Sequence, residues 1–248
     1  MIRTLILEAL RLAVEPSIPA AAASSLNLYF PKPSAGIHAR SNTPLILASH
    51  HGGNPVILAQ KIQERLMEGW RDQFTVTVTV RGTLAFRFSD SFIWNHGAES
   101  VLVELPKAIK QAQHACGGTT GLLVLPNELR DALQLTITHL EGAMMMLAEQ
   151  PLRAIPECDT GSLPPPKHSD HRLTPLMSML LVFPEYIAQE STRPQPQFAA
   201  AVHHLLQTFN SYRAAHPILG GKEDPLVLKV KLDSLCLLTG ALRMVGKG

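Results

Sequence analysis

Cysteine is scarce in this chain: three among 248 residues, and none close to another in sequence. Cys116, Cys158 and Cys236 therefore offer neither a C-x-x-C redox pair nor the clustered thiolates of a structural zinc site. An odd, isolated set fits a reducing compartment, where a lone Cys behaves as a small apolar residue, and the expected location is cytoplasmic. Charge of one sign is lacking as well, because 22 Lys and Arg stand against 20 Asp and Glu for a formal net charge of +2. That balance excludes a protein that holds nucleic acid by its overall field; any such surface must be local. No apolar run approaches the roughly 20 residues needed to span a bilayer. Glu8 and Arg11 interrupt the apolar N-terminus, so it reads as a helix rather than a secretory leader. No membrane partner is expected.

The sequence also lacks catalytic signatures. It has no G-x-S-x-G elbow, no zincin helix and no kinase-like set. Gly117-Gly118-Thr119-Thr120-Gly121 is Gly-rich but without the Lys with which a P-loop neutralises phosphate, and it reads as a hinge. His50-His51, read in a strand, point to opposite faces, and His203-His204 on a helix diverge by about 100°. His168-x-x-His171 has no carboxylate or thiol beside it. The expectation is no enzyme, no cofactor and no metal.

What is present is enough apolar sequence, 46%, for two modest cores. Ile2, Leu5, Ile6, Ala9, Leu10 and Ala13 fall at helical spacing and predict an amphipathic first helix. Short strands are expected at 26–30 and 45–48. Asn54-Pro55 is a helix start, since Asn caps free N–H groups and Pro in the first turn has none to leave bare; the helix should run to about Met67. Val76, Val78 and Val80 alternate with Thr75, Thr77 and Thr79, and beyond Arg81-Gly82 come Leu84, Phe86 and Phe88: a hairpin with one apolar face. Residues 105–121 read as a linker. Helices are expected at 127–150, 173–190, 195–215 and 225–244, with a Pro-rich loop over 151–166 and Met144, Met145 and Met146 in the core. The predicted fold is an α+β N-terminal domain (1–104) with a small sheet and helices, then an all-α helical bundle (122–248).

Leu181-Val182-Phe183-Pro184-Glu185-Tyr186-Ile187-Ala188, then Gln197-Phe198 through Leu205-Leu206, Phe209-Asn210-Ser211-Tyr212 and Pro217-Ile218-Leu219 follow an "FPE" helix and an "FN-x-F-Y" helix end. Leu237-Leu238-Thr239-Gly240-Ala241-Leu242-Arg243-Met244-Val245-Gly246 follows the closing "L-x-x-G-L-x-x-L-G" helix. In this order they resemble the DALR-type anticodon-binding domain of arginyl-tRNA synthetase. Val80 to Phe92, with the first helix and the helix after Asn54-Pro55, is similar to the additional domain that opens those enzymes. Neither HIGH nor KMSKS occurs, and too few residues separate the two matches to hold a catalytic domain. The resemblance implies a non-catalytic protein of synthetase descent. Two positions depart from the pattern: Ala85 stands where the family hairpin has an Asn that helps read the tRNA D-loop, and Arg213 replaces the second aromatic of "FN-x-F-Y".

Two functions are expected from this. In the first, the protein binds RNA, tRNA or another structured RNA, without modifying it; no DNA partner is expected. Arg81 and Arg87 on the hairpin and Asn210, Arg213, Lys229 and Lys231 on the last helices would meet phosphates and bases, with Phe209 and Tyr212 offering rings. Arg213, Lys229 and Lys231 should then lie together. Phe209 and Tyr212 are three apart on one helix face, a spacing that serves a stacking surface or a bundle core alike. In the second, the fold is an adaptor or regulator that binds an enzyme of RNA metabolism or translation.

Overall fold

The computed structural model describes residues 2–15, 26–31, 36–115, 125–149, 173–191, 198–215 and 225–247. The Gly-rich hinge at 117–121, the Pro-rich loop, His168, His171, Cys116, Cys158 and Pro217-Ile218-Leu219 lie outside them. Most described residues are helical, with one small antiparallel sheet in the N-terminal part, so the fold is α+β. The chain divides into two compact units, Met1–Phe92 and Ile93–Gly248.

In the first unit α1 (Ile2–Val14) buries Ile2, Ile6, Ala9, Leu10 and Ala13 of the expected stripe and Val14 besides, while Leu5 is half-buried. Three strands follow the order β1 (Ala39–Ser41), β3 (Leu84–Phe88), β2 (Phe74–Val78), both pairings antiparallel. Leu84, Phe86 and Phe88 face inward with Phe74 and Val76, and the alternate residues face out. The segment expected as a strand at 26–30 contributes one bridge, Tyr29 to Arg40, beside β1. Residues 45–48 are not a strand but lie inside α2 (Thr43–His51). A short apolar run has no period of its own. Here Pro44 in the first turn and the Ser41 to Thr43 contacts (Oγ to Oγ1 2.8 Å, Thr43 N to Ser41 Oγ 3.1 Å) start a helix instead.

α3 (Pro55–Trp70) begins as Asn54 predicts, its Oδ1 accepting the Val56 N–H at 2.9 Å. Gln63 Nε2 donates to the Val76 carbonyl at 2.6 Å and Arg65 Nη1 to the Ala13 carbonyl at 2.9 Å, tying α3 to the sheet and to α1. The hairpin closes between Thr79 and Thr83, whose hydroxyls are 2.7 Å apart. Val80, expected on the apolar face, is instead 96% exposed, because the strand ends at Val78 and the turn begins with Thr79. Gly82 sits at φ +79°, and a Cβ there would come 2.7 Å from the Pro55 carbonyl carbon. Only glycine allows both that backbone and that approach. The hairpin turn is thereby seated against the start of α3.

The second unit is helical. α4 (Asp90–Glu99) runs through a π-helical turn (Ser100–Glu104) into α5 (Leu105–Ala115), where a linker was expected. Leu105, Ala108, Ile109 and Ala112 are buried on one stripe, and α5 packs on α7 (Thr174–Ser191). Polar residues between them made the stretch look like a connector. α6 (Asn127–Glu149), α8 (Phe198–Ala215) and α9 (Pro225–Lys247) complete the unit, α8 on α7 and α6, α9 on α6. Pro184 inside α7 has no N–H for the Leu180 carbonyl. One residue on, the Leu181 carbonyl accepts the buried Ser100 hydroxyl at 2.7 Å. Two irregular turns, one in each helix, thus meet at a single bond. No helix of the described residues is long and apolar enough to cross a membrane.

Candidate nucleic-acid interface

Strand register fixes the outward face of the first unit. Ala85 pairs with Thr77 on one side and Arg40 on the other, and Arg40 bridges to Tyr29, which gives one cross-strand row. Arg87 pairs with Thr75 in the next row on the same face. Arg40 and Arg87 are therefore diagonal neighbours, with Cα atoms about 7 Å apart. Arg87 is exposed; Arg40 is half-buried, and its Nε has no hydrogen-bond partner among the described residues. Arg81 is exposed in the hairpin turn. Neither Arg81 nor Arg87 makes an ion pair among the described residues. Ala85, at 4% exposure, lies beneath its row neighbours and offers no hydrogen-bonding side chain.

His38 braces this face. Its Nδ1 accepts the Phe88 N–H at 2.7 Å, and its ring stacks on Phe88 with centroids 4.8 Å apart. Burial, and then the Arg87 guanidinium, push its pKa down to about 4, against a smaller opposing pull from Asp90. The ring is neutral at physiological pH, and its accepting nitrogen is held for the backbone.

In the second unit the expected residues separate. Phe209 and Tyr212 are core residues, 1% and 6% exposed, and present no stacking face. Lys231 is buried as well, at 2%. Asn210 and Arg213 are exposed and Lys229 is half-buried. Arg213 Nη1 donates to His139 Nδ1 on α6 at 3.2 Å; a guanidinium can only donate, so that nitrogen carries no proton. The contact brings no carboxylate to the guanidinium.

Arg213 does not join Lys229 and Lys231. α9 runs antiparallel to α6: Cys236 Sγ lies 3.4 Å from Met144 Sδ, Arg243 reaches Glu141, and a Cβ at Gly246 would meet Leu133 Cδ2. The α9 residues level with His139 are near Gly240. Lys229 is about eleven residues earlier, roughly 16 Å down the axis. The cation of α9 closest to the level of Arg213 is Arg243, on the other side of α6. Met145 and Met146, expected in the core, are exposed at 67% and 58% with Leu135 at 58%, because α6 turns this face away from its neighbours.

Sequence reasoning missed Arg40 and Tyr29, since the topology of 15–53 has no clear period. The signal that could have found Arg40 is its place between two small buried residues, Ala39 and Ser41, in a three-residue strand. His50 and His51 end α2 instead of lying in a strand, exposed, with ring centroids 6.5 Å apart. Among the described residues no group of three His, Cys, Asp or Glu converges as a metal site. No family model, curated protein or solved structure matches the chain.

Proposed function

We propose that the protein is a non-catalytic RNA-binding protein, related to arginyl-tRNA synthetase but without its catalytic domain, and that it takes tRNA or another structured RNA on the outward sheet face of the first unit. The second unit, in this reading, is a DALR-type anticodon-binding bundle. The observation that carries the proposal is the pairing of Arg40 with Arg87 as diagonal neighbours on a face that also holds Tyr29, Thr75 and Thr77. Guanidinium groups at this spacing suit successive phosphates, hydroxyls add donors, and a half-exposed ring beside them can stack on an unpaired base. Arg213 contributes a further cation on the second unit. Phe209, Tyr212 and Lys231 act through folding.

Filter binding of the full chain to a tRNA across a salt series tests this. The Arg40→Ala, Arg87→Ala double variant should bind about tenfold more weakly, with a salt slope shallower by about 0.7 to 0.9 for each phosphate no longer neutralised. Arg213→Ala should lose less. A wild-type protein that binds no RNA at physiological salt, or a double variant that binds like wild type, defeats the reading. The adaptor reading would then take its place, favoured by the exposed Leu135, Met145 and Met146 on α6.

A further inference from the structure

The start of β1 is irregular where it comes alongside Arg87. Ala39 is in register with Phe86, yet the His38 N–H also turns to β3 and donates to the Phe86 carbonyl at 2.9 Å. Two residues of one strand thus stand against one of the other, which makes a bulge. In an unbroken strand His38 would share the outward face with Arg40, two residues on. The bulge turns it inward instead, where its ring stacks on the buried Phe88 and its Nδ1 accepts the Phe88 N–H at 2.7 Å. The outward place beside Arg87 is left without the imidazole.

Gly36 comes next to Arg87 in its stead. It sits at φ +76°, and a Cβ built on it would lie 3.6 Å from Arg87 Cζ and Nε and 3.8 Å from Cδ. The Arg87 side chain therefore runs along main chain that carries no side chain of its own, at a φ that favours glycine. Arg87 as a whole remains exposed. Its guanidinium is held on one flank and open on the other.

We infer that Gly36 and His38 are positioning residues for Arg87: His38 pins the bulge, and Gly36 gives the guanidinium bare backbone to lie on, so that it meets RNA phosphate already in place. The inference rests on the RNA-binding reading above and deepens it, by naming what aims one of the two arginines of the sheet face. A side chain ordered in advance gives up less freedom on binding than a mobile one. The charge of Arg87 and its placement are then separate contributions.

Gly36→Asn in the full chain tests this, because Asn tolerates a positive φ but puts its amide where the guanidinium lies. In RNA-free protein, nitrogen relaxation by NMR should show the Arg87 Nε–H less ordered in the variant than in wild type, with Arg81 unchanged. Filter binding to a tRNA should weaken about threefold, the size expected for one side chain that must now be immobilised. The same substitution should cost nothing further in an Arg87→Ala background, since residues that act through one another are not additive. His38→Leu should lower Arg87 order and tRNA binding alike, whereas His38→Asn, whose Oδ1 can still accept the Phe88 N–H, should keep both; this pair carries the test if Gly36→Asn does not fold. Arg87 order unchanged by these substitutions, or an equal loss of tRNA binding with and without Arg87, overturns the inference and leaves the sheet-face reading standing. A wild-type protein that binds no tRNA at physiological salt overturns both.

Discussion

The two units treat their sequence-predicted contact residues differently. On the hairpin, Arg81 and Arg87 are outside, as expected; in the helical unit Phe209, Tyr212 and Lys231 are inside. A strand has a period of two, so one buried neighbour on each side decides where a residue points. Phe86 and Phe88 commit Arg87 to the surface. A helix in a bundle can be covered from several directions, and which arc stays open depends on helices far away in sequence. α8 is covered by both α6 and α7, which leaves Asn210 and Arg213 outside and draws the rings of Phe209 and Tyr212 inward. Polar character therefore predicts exposure better on the sheet than on the bundle.

The strongest way to break this comparison is at Phe209. If it is core, Phe209→Ala should destabilise the second unit by about 3 to 5 kcal/mol, and any protein that remains folded should bind tRNA as wild type does. Urea unfolding and filter binding on the same samples check it. A stable variant with weak RNA binding would return Phe209 to the surface.

The next effect belongs to the first unit. Gly82→Ala forces a Cβ into the Pro55 carbonyl at a positive φ, and the expected loss is about 2 to 4 kcal/mol. Trp70 lies in the first unit, stacked on Phe74, and the second tryptophan, Trp94, lies in the other. Fluorescence of Trp70 in a Trp94→Phe background should report an earlier unfolding midpoint, whereas an unchanged midpoint would mean the turn is not seated on α3.

The smallest of the three effects depends on pH. The folded pKa of His38, about 4, lies below the ordinary 6.5, so the unfolded chain takes the proton first. Its contribution is complete above pH 6.5 and is lost as pH falls through 4, amounting to about 2 to 3 kcal/mol. Urea midpoints read through Trp70 should fall over that window in wild type and fall less in His38→Asn. A second unit that lost as much over the same range would blur the contrast.

Local chemistry explains what was legible. α1, the Asn54 cap and the hairpin each announce themselves within a few residues, and the four late helices appear within one to three residues of their expected ends. α2 was hidden because Leu45, Ile46 and Leu47 suit a strand as well as a helix. α5 was hidden because Lys107, Lys110 and Gln111 mask the stripe beneath. In the candidate site, Arg81 and Arg87 were readable from the hairpin alone. Arg40 was not, because its place depends on pairing with a strand more than forty residues later.

The bond from Ser100 to the Leu181 carbonyl says something about the order in which the chain assembles. α7 contains a proline and cannot complete its own ladder. The Ser100 hydroxyl comes to it from a residue 81 positions earlier. An isolated α7 would propagate poorly past its midpoint, and the π-helical turn would have no carbonyl to hold its serine. The carbonyl left bare by Pro184 is that of Leu180, so the Ser100 bond joins the two irregular turns side by side without completing the α7 ladder. A contact between residues 81 apart carries a loop-closure cost that the local turns of each helix do not, so we expect this bond to form after those turns.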